Sequence, residues 1–252
     1  MRHMRRGNAR FGGGAIAIAS IAVALCATDA ERPSTRLNAQ TAAASPATPK
    51  LTGIWRRKGP LNGKPSPAMV PTNRALGFEK AYENALSPTY DCVQMSIPAV
   101  MNDNYDFQIE QKADRVIFTY EKMDVVRTVW LADHGHPKPG PYDYSIHGNS
   151  VGRYEGNRLV VETAKFLPDV RGFSSNRFIP NTAMKKVTER YWLEGDTLKM
   201  ETVSVDPLVL REPFQYGYEY SPRKEELTAY DCDPEDSRFG AQFHKSIYPP
   251  DK

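Results

Sequence analysis

The sequence predicts an all-β fold, an antiparallel up-and-down barrel with one short helix. Three observations carry that expectation. The segments Glu155-Gly156-Asn157-Arg158-Leu159-Val160-Val161-Glu162-Thr163 and Glu194-Gly195-Asp196-Thr197-Leu198-Lys199-Met200-Glu201-Thr202 read as one β-hairpin repeated about 39 residues apart. Their Gly-Asn and Gly-Asp pairs suit two-residue hairpin turns, because Gly, Asn and Asp tolerate the positive φ of primed turns. A third, weaker copy runs from Gln111 to Glu121. Chained hairpins make a meander that must cover its outer strands, and rolling into a barrel does so.

The elements follow in order. Leu51-Thr52-Gly53-Ile54-Trp55 opens the folded part as a short strand. The stretch Arg74 to Leu86 places Leu76, Ala81, Ala85 and Leu86 near helical spacing, with Asn73 as N-cap. Strands are expected at 106–111, 115–121, 125–131, 151–155, 158–164, 186–193, 197–206, 214–221 and 226–230. A two-sheet sandwich is the alternative arrangement. The long connection from Ala132 to Asn149 contains His134, His136 and His147, which suits a rim or lid.

Composition narrows the class. A net charge of +3 on 252 residues is nearly neutral, and several arginines belong to the N-terminal leader. No basic stripe of the kind that binds nucleic acid is present. Arg2, Arg5, Arg6 and Arg10 precede an uncharged run from Phe11 to Thr28, the pattern of an export signal. The expected organisation is a signal peptide over 1–27, a flexible Ala/Thr/Ser/Pro linker over 28–50, and a barrel domain over 51–252. The mature protein is expected in the periplasm or secreted, with no stable membrane insertion after cleavage. An uncleaved anchor and a lipoprotein are the alternatives, although Leu25 stands where a lipidation box before Cys26 wants a small residue.

Cleavage beyond Cys26 leaves Cys92 and Cys232, which an exported chain can oxidise to a disulfide. Two unrelated buried thiols are the other reading. No Gly-rich phosphate loop, nucleophile elbow or Cys-x-x-Cys stands in a suitable context, so no cofactor is expected. Asp133, His134, His136 and His147 have a spacing permissive for a metal, but solvated loop histidines are the preferred reading and no metal is assigned.

Two-residue turns fix register, and register fixes facing. Glu194 should pair with Thr197, Leu193 with Leu198, Tyr191 with Met200, and Glu189 should lie opposite Thr202 on the same inner face. Ser150, Gly152, Tyr154, Leu159, Val161 and Thr163 share the inner face of the preceding hairpin, and Phe107, Ile109, Val116, Phe118 and Tyr120 that of the first. Arg127 lies in an otherwise apolar strand, and if it points inward Glu189 or Glu121 is its candidate partner.

The run Gly148-Asn149-Ser150-Val151-Gly152-Arg153-Tyr154-Glu155-Gly156-Asn157-Arg158-Leu159-Val160-Val161-Glu162-Thr163, preceded by Asp133-His134-Gly135-His136-Pro137, resembles an uncharacterised family of exported bacterial proteins. The family pattern is Gly-His-Ser-x-Gly-x-Trp-Glu-Gly-Asp-Thr-Leu-Val-Val-Asp-Thr, and the likeness extends from Leu51 to Cys232. Asn149 replaces the motif His, Tyr154 the Trp, and Asn157 the turn Asp. His147, two residues before Asn149 and on the same face of an extended segment, can stand in for the missing imidazole.

Two functions are expected from the lining. One is a cofactor-free lyase, isomerase or dehydratase acting on a small apolar or aromatic molecule in a barrel cavity. Glu189, His147, Arg127 and Tyr154 are its catalytic candidates, and Tyr120, Phe118, Tyr191 and Met200 its ligand-binding surface. The alternative is a lipocalin-like carrier that holds such a ligand unchanged.

Overall fold

A computed structural model describes residues 48–132, 140 and 143–239. The expected signal peptide, most of the linker, and Asp133, His134 and His136 lie outside the described residues. Nine strands form a closed barrel in chain order: β1 (Gly53–Pro60), β2 (Phe107–Gln111), β3 (Arg115–Tyr120), β4 (Val125–Leu131), β5 (Asn149–Glu155), β6 (Arg158–Ala164), β7 (Lys186–Glu194), β8 (Thr197–Val205) and β9 (Phe214–Arg223). The expected all-β barrel is therefore present. β9 returns to pair antiparallel with β1, with Arg56 opposite Ser221. β4 and β5 run parallel, Val129 against Ser150, while the other neighbours are antiparallel. No helix among the described residues is long and apolar enough to cross a membrane.

The hairpin registers agree with the reading from turn chemistry. Glu194 faces Thr197, Tyr191 faces Met200, and Glu189 faces Thr202. Glu155 faces Arg158 across the preceding turn. Gly156 and Gly195 both have φ of 61°, while Asn157 and Asp196 do not enter the positive region. A positive φ at only the first central residue is what a type II′ turn requires, and glycine adopts it without steric cost.

Two expected elements differ. The helix α1 spans Asn73–Ala81 rather than continuing to Leu86, and Thr72, not Asn73, caps it by accepting from the Ala75 amide. Within α1 only Ala75 is buried, and Leu76 and Phe78 remain about 40% and 39% exposed, so no apolar face extends the helix. The Tyr82 ring packs on Phe178, 4.5 Å between centroids, as the chain turns away. Residues 226–230 are not a strand. They leave β9 as an outer strap in which the Thr228 and Tyr230 amides donate to the carboxylates of Glu121 and Asp124 instead of to a ladder. A disulfide joins Cys92 to Cys232, closing a sequence separation of 140. On the chain-entropy estimate such a loop is worth about 5 kcal/mol.

Strand directions put the turns after β2, β5 and β7 at one end of the barrel, its floor, while the short β3–β4 turn lies at the other. The opposite end, its mouth, receives the long connections 61–106, 165–185 and 206–213. The one-turn helix α2 (Ala99–Asn102), together with Met95 to Pro98, enters that mouth as a plug, with Met95, Ile97, Ala99, Val100 and Met101 all buried. Tyr216 Oη donates to the Pro98 carbonyl at 3.0 Å, and the Arg57 guanidinium donates to the Met101 and Asn102 carbonyls. These bonds satisfy helix-end carbonyls that have no partner of their own.

The stem of the plug rests on two fully buried cations. Arg171 donates to the Val93 and Gln94 carbonyls and pairs with Asp169. Lys185 Nζ donates to Ser96 Oγ at 2.9 Å, the Gly172 carbonyl at 3.0 Å and Asn181 Oδ1 at 3.0 Å, and lies 4.0 Å from the Phe166 ring centroid. Burial drives the Lys185 pKa well below the ordinary lysine value, against the pull of Asp169 and Asp206. Three acceptors nevertheless match the three hydrogens of an ammonium, so its role here is to pin three segments together.

Lys185→Met leaves those three buried acceptors without their donor, each worth about 1 kcal/mol or more. The expected result is a loss of about 3 kcal/mol in urea unfolding. A change below about 0.5 kcal/mol, the range of an ordinary surface substitution, contradicts the pinning role.

Candidate ligand-binding and acid–base site

The interior is layered by chemistry. Near the floor, Ile109, Val116, Val129, Leu159 and Leu198 form an apolar packing layer. Toward the mouth the inward positions turn polar: Arg127, Ser150, Thr163, Glu189, Thr202 and Ser204 are all buried. Ser150 and Thr163, opposite one another on β5 and β6, share a hydrogen bond of 2.9 Å.

Arg127 reaches from β4 to Glu189 on β7. Nη1 donates to Oε1 at 2.9 Å and Nη2 to Oε2 at 2.8 Å, with the two side chains 2% and 0% exposed. Tyr191 Oη donates a third bond to Glu189, 2.7 Å long. The carboxylate is thus engaged on both oxygens, and the planar guanidinium meets it as a fork. Glu189 holds the Arg127 pKa above its usual value even though burial opposes the charge. The Phe118 ring lies 5.1 Å from the guanidinium and 5.1 Å from Tyr191. Glu121, the other candidate partner, is bound outside the barrel to Arg223.

The expected hollow interior is absent. Phe107, Phe118, Tyr120, Tyr191, Tyr216 and Tyr220 fill the space between the strands, and Phe107 and Tyr220 meet edge to face at 4.9 Å. A crevice between Val100 and Met101 of the plug and Phe107, Tyr120, Tyr191, Met200 and Tyr220 of the wall has a volume of about 10 Å³. That is room for about one water. It reaches the surface at Tyr105, which is 39% exposed. A wider groove of about 700 Å³, bordered by Met184, Lys186, Val205 and Arg211, lies outside the barrel, and none of Arg127, Glu189 or His147 lines it.

Tyr120 Oη is buried in this crevice with no hydrogen bond of normal geometry, close enough to the Tyr191 hydroxyl to be influenced by it. Burial raises the Tyr120 and Tyr191 hydroxyls above the usual tyrosine range, so both stay protonated at neutral pH. Tyr216 and Tyr220 are shifted the same way by the same cause. The crevice therefore offers donors. Glu189, with three donors already bonded to it, is a poorly available base.

His147 supplies the other kind of group. Burial, reinforced by the Arg127 charge, lowers its pKa to about 4, while a contact with the Met95 backbone opposes the shift. Its ring is neutral at physiological pH, and Nε2 is buried with no hydrogen-bond partner. Gly148 lets the chain enter here: its φ is 69°, and a Cβ would approach the Ala164 carbonyl to 2.7 Å and a Phe166 ring carbon to 2.9 Å. Arg127 Nε, Thr202 Oγ1 and Ser204 Oγ are likewise buried and unbonded.

The structure thus groups Arg127, Glu189, Tyr191, Tyr120, Phe118 and Met200, with His147 at the mouth side. Tyr154 stands apart: its hydroxyl accepts from Gln111 Nε2 at 2.8 Å, and Gln111 also binds Pro49 and Leu51, so Tyr154 belongs to the closure of the floor. The sequence reading passed over the plug and the row Tyr216, Tyr218, Tyr220. The every-second-residue spacing of those tyrosines in β9 was the available signal. Among the described residues no group of three or more His, Cys, Asp or Glu side chains is placed to hold a metal.

His147 gives a pH dependence whose sign is fixed. A folded pKa of about 4 against 6.5 unfolded means the native state disfavours protonation. This contribution is complete above about 6.5 and is lost as pH falls toward about 4. His147→Gln should flatten the stability profile across that window in urea titrations. An unchanged slope refutes the burial of a neutral imidazole.

No protein-family model matches the chain, and no curated protein is significantly similar to it.

Proposed function

We propose that the barrel binds a small aromatic molecule bearing a hydroxyl or carbonyl oxygen in the crevice under the plug. The observation that carries this reading is Tyr120 Oη, a buried hydroxyl with no hydrogen bond of normal geometry and only the Tyr191 hydroxyl near it, in a crevice lined at its outer end by Tyr105. Buried polar groups in native proteins are bonded to something, so an orphan on a passage to solvent points to a partner that comes and goes. The ligand oxygen meets Tyr120, and its ring meets Phe107 and Tyr220. The walls that must yield are Met101 and Met200, whose unbranched side chains repack at low cost. Only side chains move, and the bonded plug backbone stays in place. The disulfide supports an oxidising, exported location for this binding.

The test titrates the oxidised protein with 2-naphthol. Saturable binding should appear. Tyr120→Phe should weaken it about five- to tenfold, the worth of one hydrogen bond. Met101→Ala removes the yielding wall and should tighten binding, at a stability cost of about 2–5 kcal/mol. If neither the natural chain nor Met101→Ala binds 2-naphthol or other members of an aromatic library, the reading fails.

A second reading, a cofactor-free lyase or isomerase, is favoured by one specific observation. The neutral His147, with its unbonded Nε2 in the field of the Arg127 charge, is a base, and the protonated tyrosines are acids, which together suffice for proton transfer without a cofactor. Incubation with aromatic and terpenoid compounds distinguishes it from a carrier. Turnover that is lost in His147→Ala and Glu189→Gln while binding persists establishes an enzyme. Binding without product anywhere between about pH 5 and 9 establishes a carrier.

A further inference from the structure

The C-terminal strap over 224–239 passes the mouth of the crevice at Tyr230, which packs in part against the core. Tyr230 packs edge to face on Tyr105, 5.8 Å between centroids. Lys122 bridges them: its Nζ lies 4.8 Å from the Tyr105 ring, 5.1 Å from the Tyr230 ring, 3.3 Å from Tyr230 Oη and 3.1 Å from Asp103. Two residues beyond Tyr230, Cys232 is joined to Cys92, and Met95, the first plug residue, follows three positions after Cys92. Both cysteines are only half-buried. Several other strap contacts are polar and lie at the surface: two amides on Glu121 and Asp124, and Arg238 on Asp91 and the Ala85 carbonyl. Exposed ion pairs and bonds of this kind hold a segment weakly.

The two sides of the bond are therefore unequal. On the Cys92 side, Arg171, Asp169 and Lys185 hold the plug stem from the barrel interior and owe nothing to the sulfur bridge. On the Cys232 side, the covalent link is the strongest attachment the strap has.

We propose that the Cys92–Cys232 disulfide is a redox latch on this strap, and that its reduction by a thiol reductant lifts Tyr230 from Tyr105 and widens the crevice mouth, where Tyr105 is already 39% exposed. The gating half of the inference rests on the ligand-binding reading above, while the latch half does not. The exchange is balanced. A reductant thiolate attacks one sulfur, giving a mixed disulfide and freeing the other cysteine. A second reductant thiolate then displaces the remaining cysteine, leaving two protein thiols and one oxidised reductant disulfide. Reduction leaves the plug in place, so the barrel stays folded and only the cover is lost.

Hydrogen exchange on the full chain, oxidised and then treated with dithiothreitol, decides the latch. Amides of 224–239 should exchange at least about tenfold faster after reduction, at times when those of β3, β7 and β8 are still unexchanged even with the loop constraint lost. Cys232→Ser should reproduce the reduced behaviour without reductant. Unchanged strap exchange overturns the proposal. So does strap exchange that quickens only together with exchange of the barrel amides, because the bond would then act through global unfolding alone. Stopped-flow mixing with 2-naphthol decides the gating: association should quicken about threefold or more on reduction, and Tyr230→Ala in the oxidised chain should do the same. A released strap with equal association rates overturns the gating. Absence of 2-naphthol binding in both redox forms and in Met101→Ala protein sinks the pocket reading instead, with the latch still decided by exchange.

Discussion

A ring of nine strands cannot alternate direction all the way round. Going round an odd ring, at least one pair of neighbours must run the same way, and this barrel places that pair at β4 and β5. Hairpin turns cannot make a parallel join, so the chain needs a connection long enough to travel back along the barrel. Residues 132–148 are that connection. Its cost is a break in the meander. Its product is Gly148 and His147, delivered to the mouth where β5 begins, beside the polar half of the interior. The antiparallel β1–β9 pairing follows from the same count.

Within that ring the charged residues are tolerated because they are used up. Moving Arg127 or Glu189 alone into the interior costs several kcal/mol, and the fork with its tyrosine bond offsets the cost only when all three members are present. The same holds for Lys185 and its three acceptors. Tyr120, His147, Thr202 and Ser204 each retain a polar atom without a normal hydrogen bond, as Arg127 does at Nε, but only Arg127 has its charge matched by a carboxylate. That difference in matching separates what holds the barrel together from what is free to act.

The legible part of the fold was local. Two-residue turns set register, and register placed Glu189 opposite Thr202 and Tyr191 opposite Met200 before any coordinate was known. The meeting of Arg127 with Glu189 was legible only as one of two options, because it depends on which strands face across the closed ring. Thr72 and Asn73 are equally good caps by residue type. The bridge between Pro71 and Leu210 draws the chain out straight and leaves Thr72 at the boundary. The plug had no signature at all. Ile97-Pro98-Ala99-Val100-Met101 follows neither the strand nor the helix period, and its apolar character is explained only by the mouth it fills. The aromatic side chains of the wall, with the plug closing the mouth, also reversed the expectation of a hollow barrel.

The β1–β9 pairing has a consequence for how the molecule comes to exist. Apart from the partner strands joined through 61–106, ring neighbours are close in the chain, whereas Arg56 and Ser221 stand at its two ends. Closure entropy grows with the length of chain enclosed, so this zipper is the most demanding in the ring. Local ribbons can assemble in any order, but the seam must wait for all of them, and a fold whose last step joins its extremities is a slow one. Until that moment β1 and β9 each show a bare ladder of amides and carbonyls, the state most open to pairing with another copy.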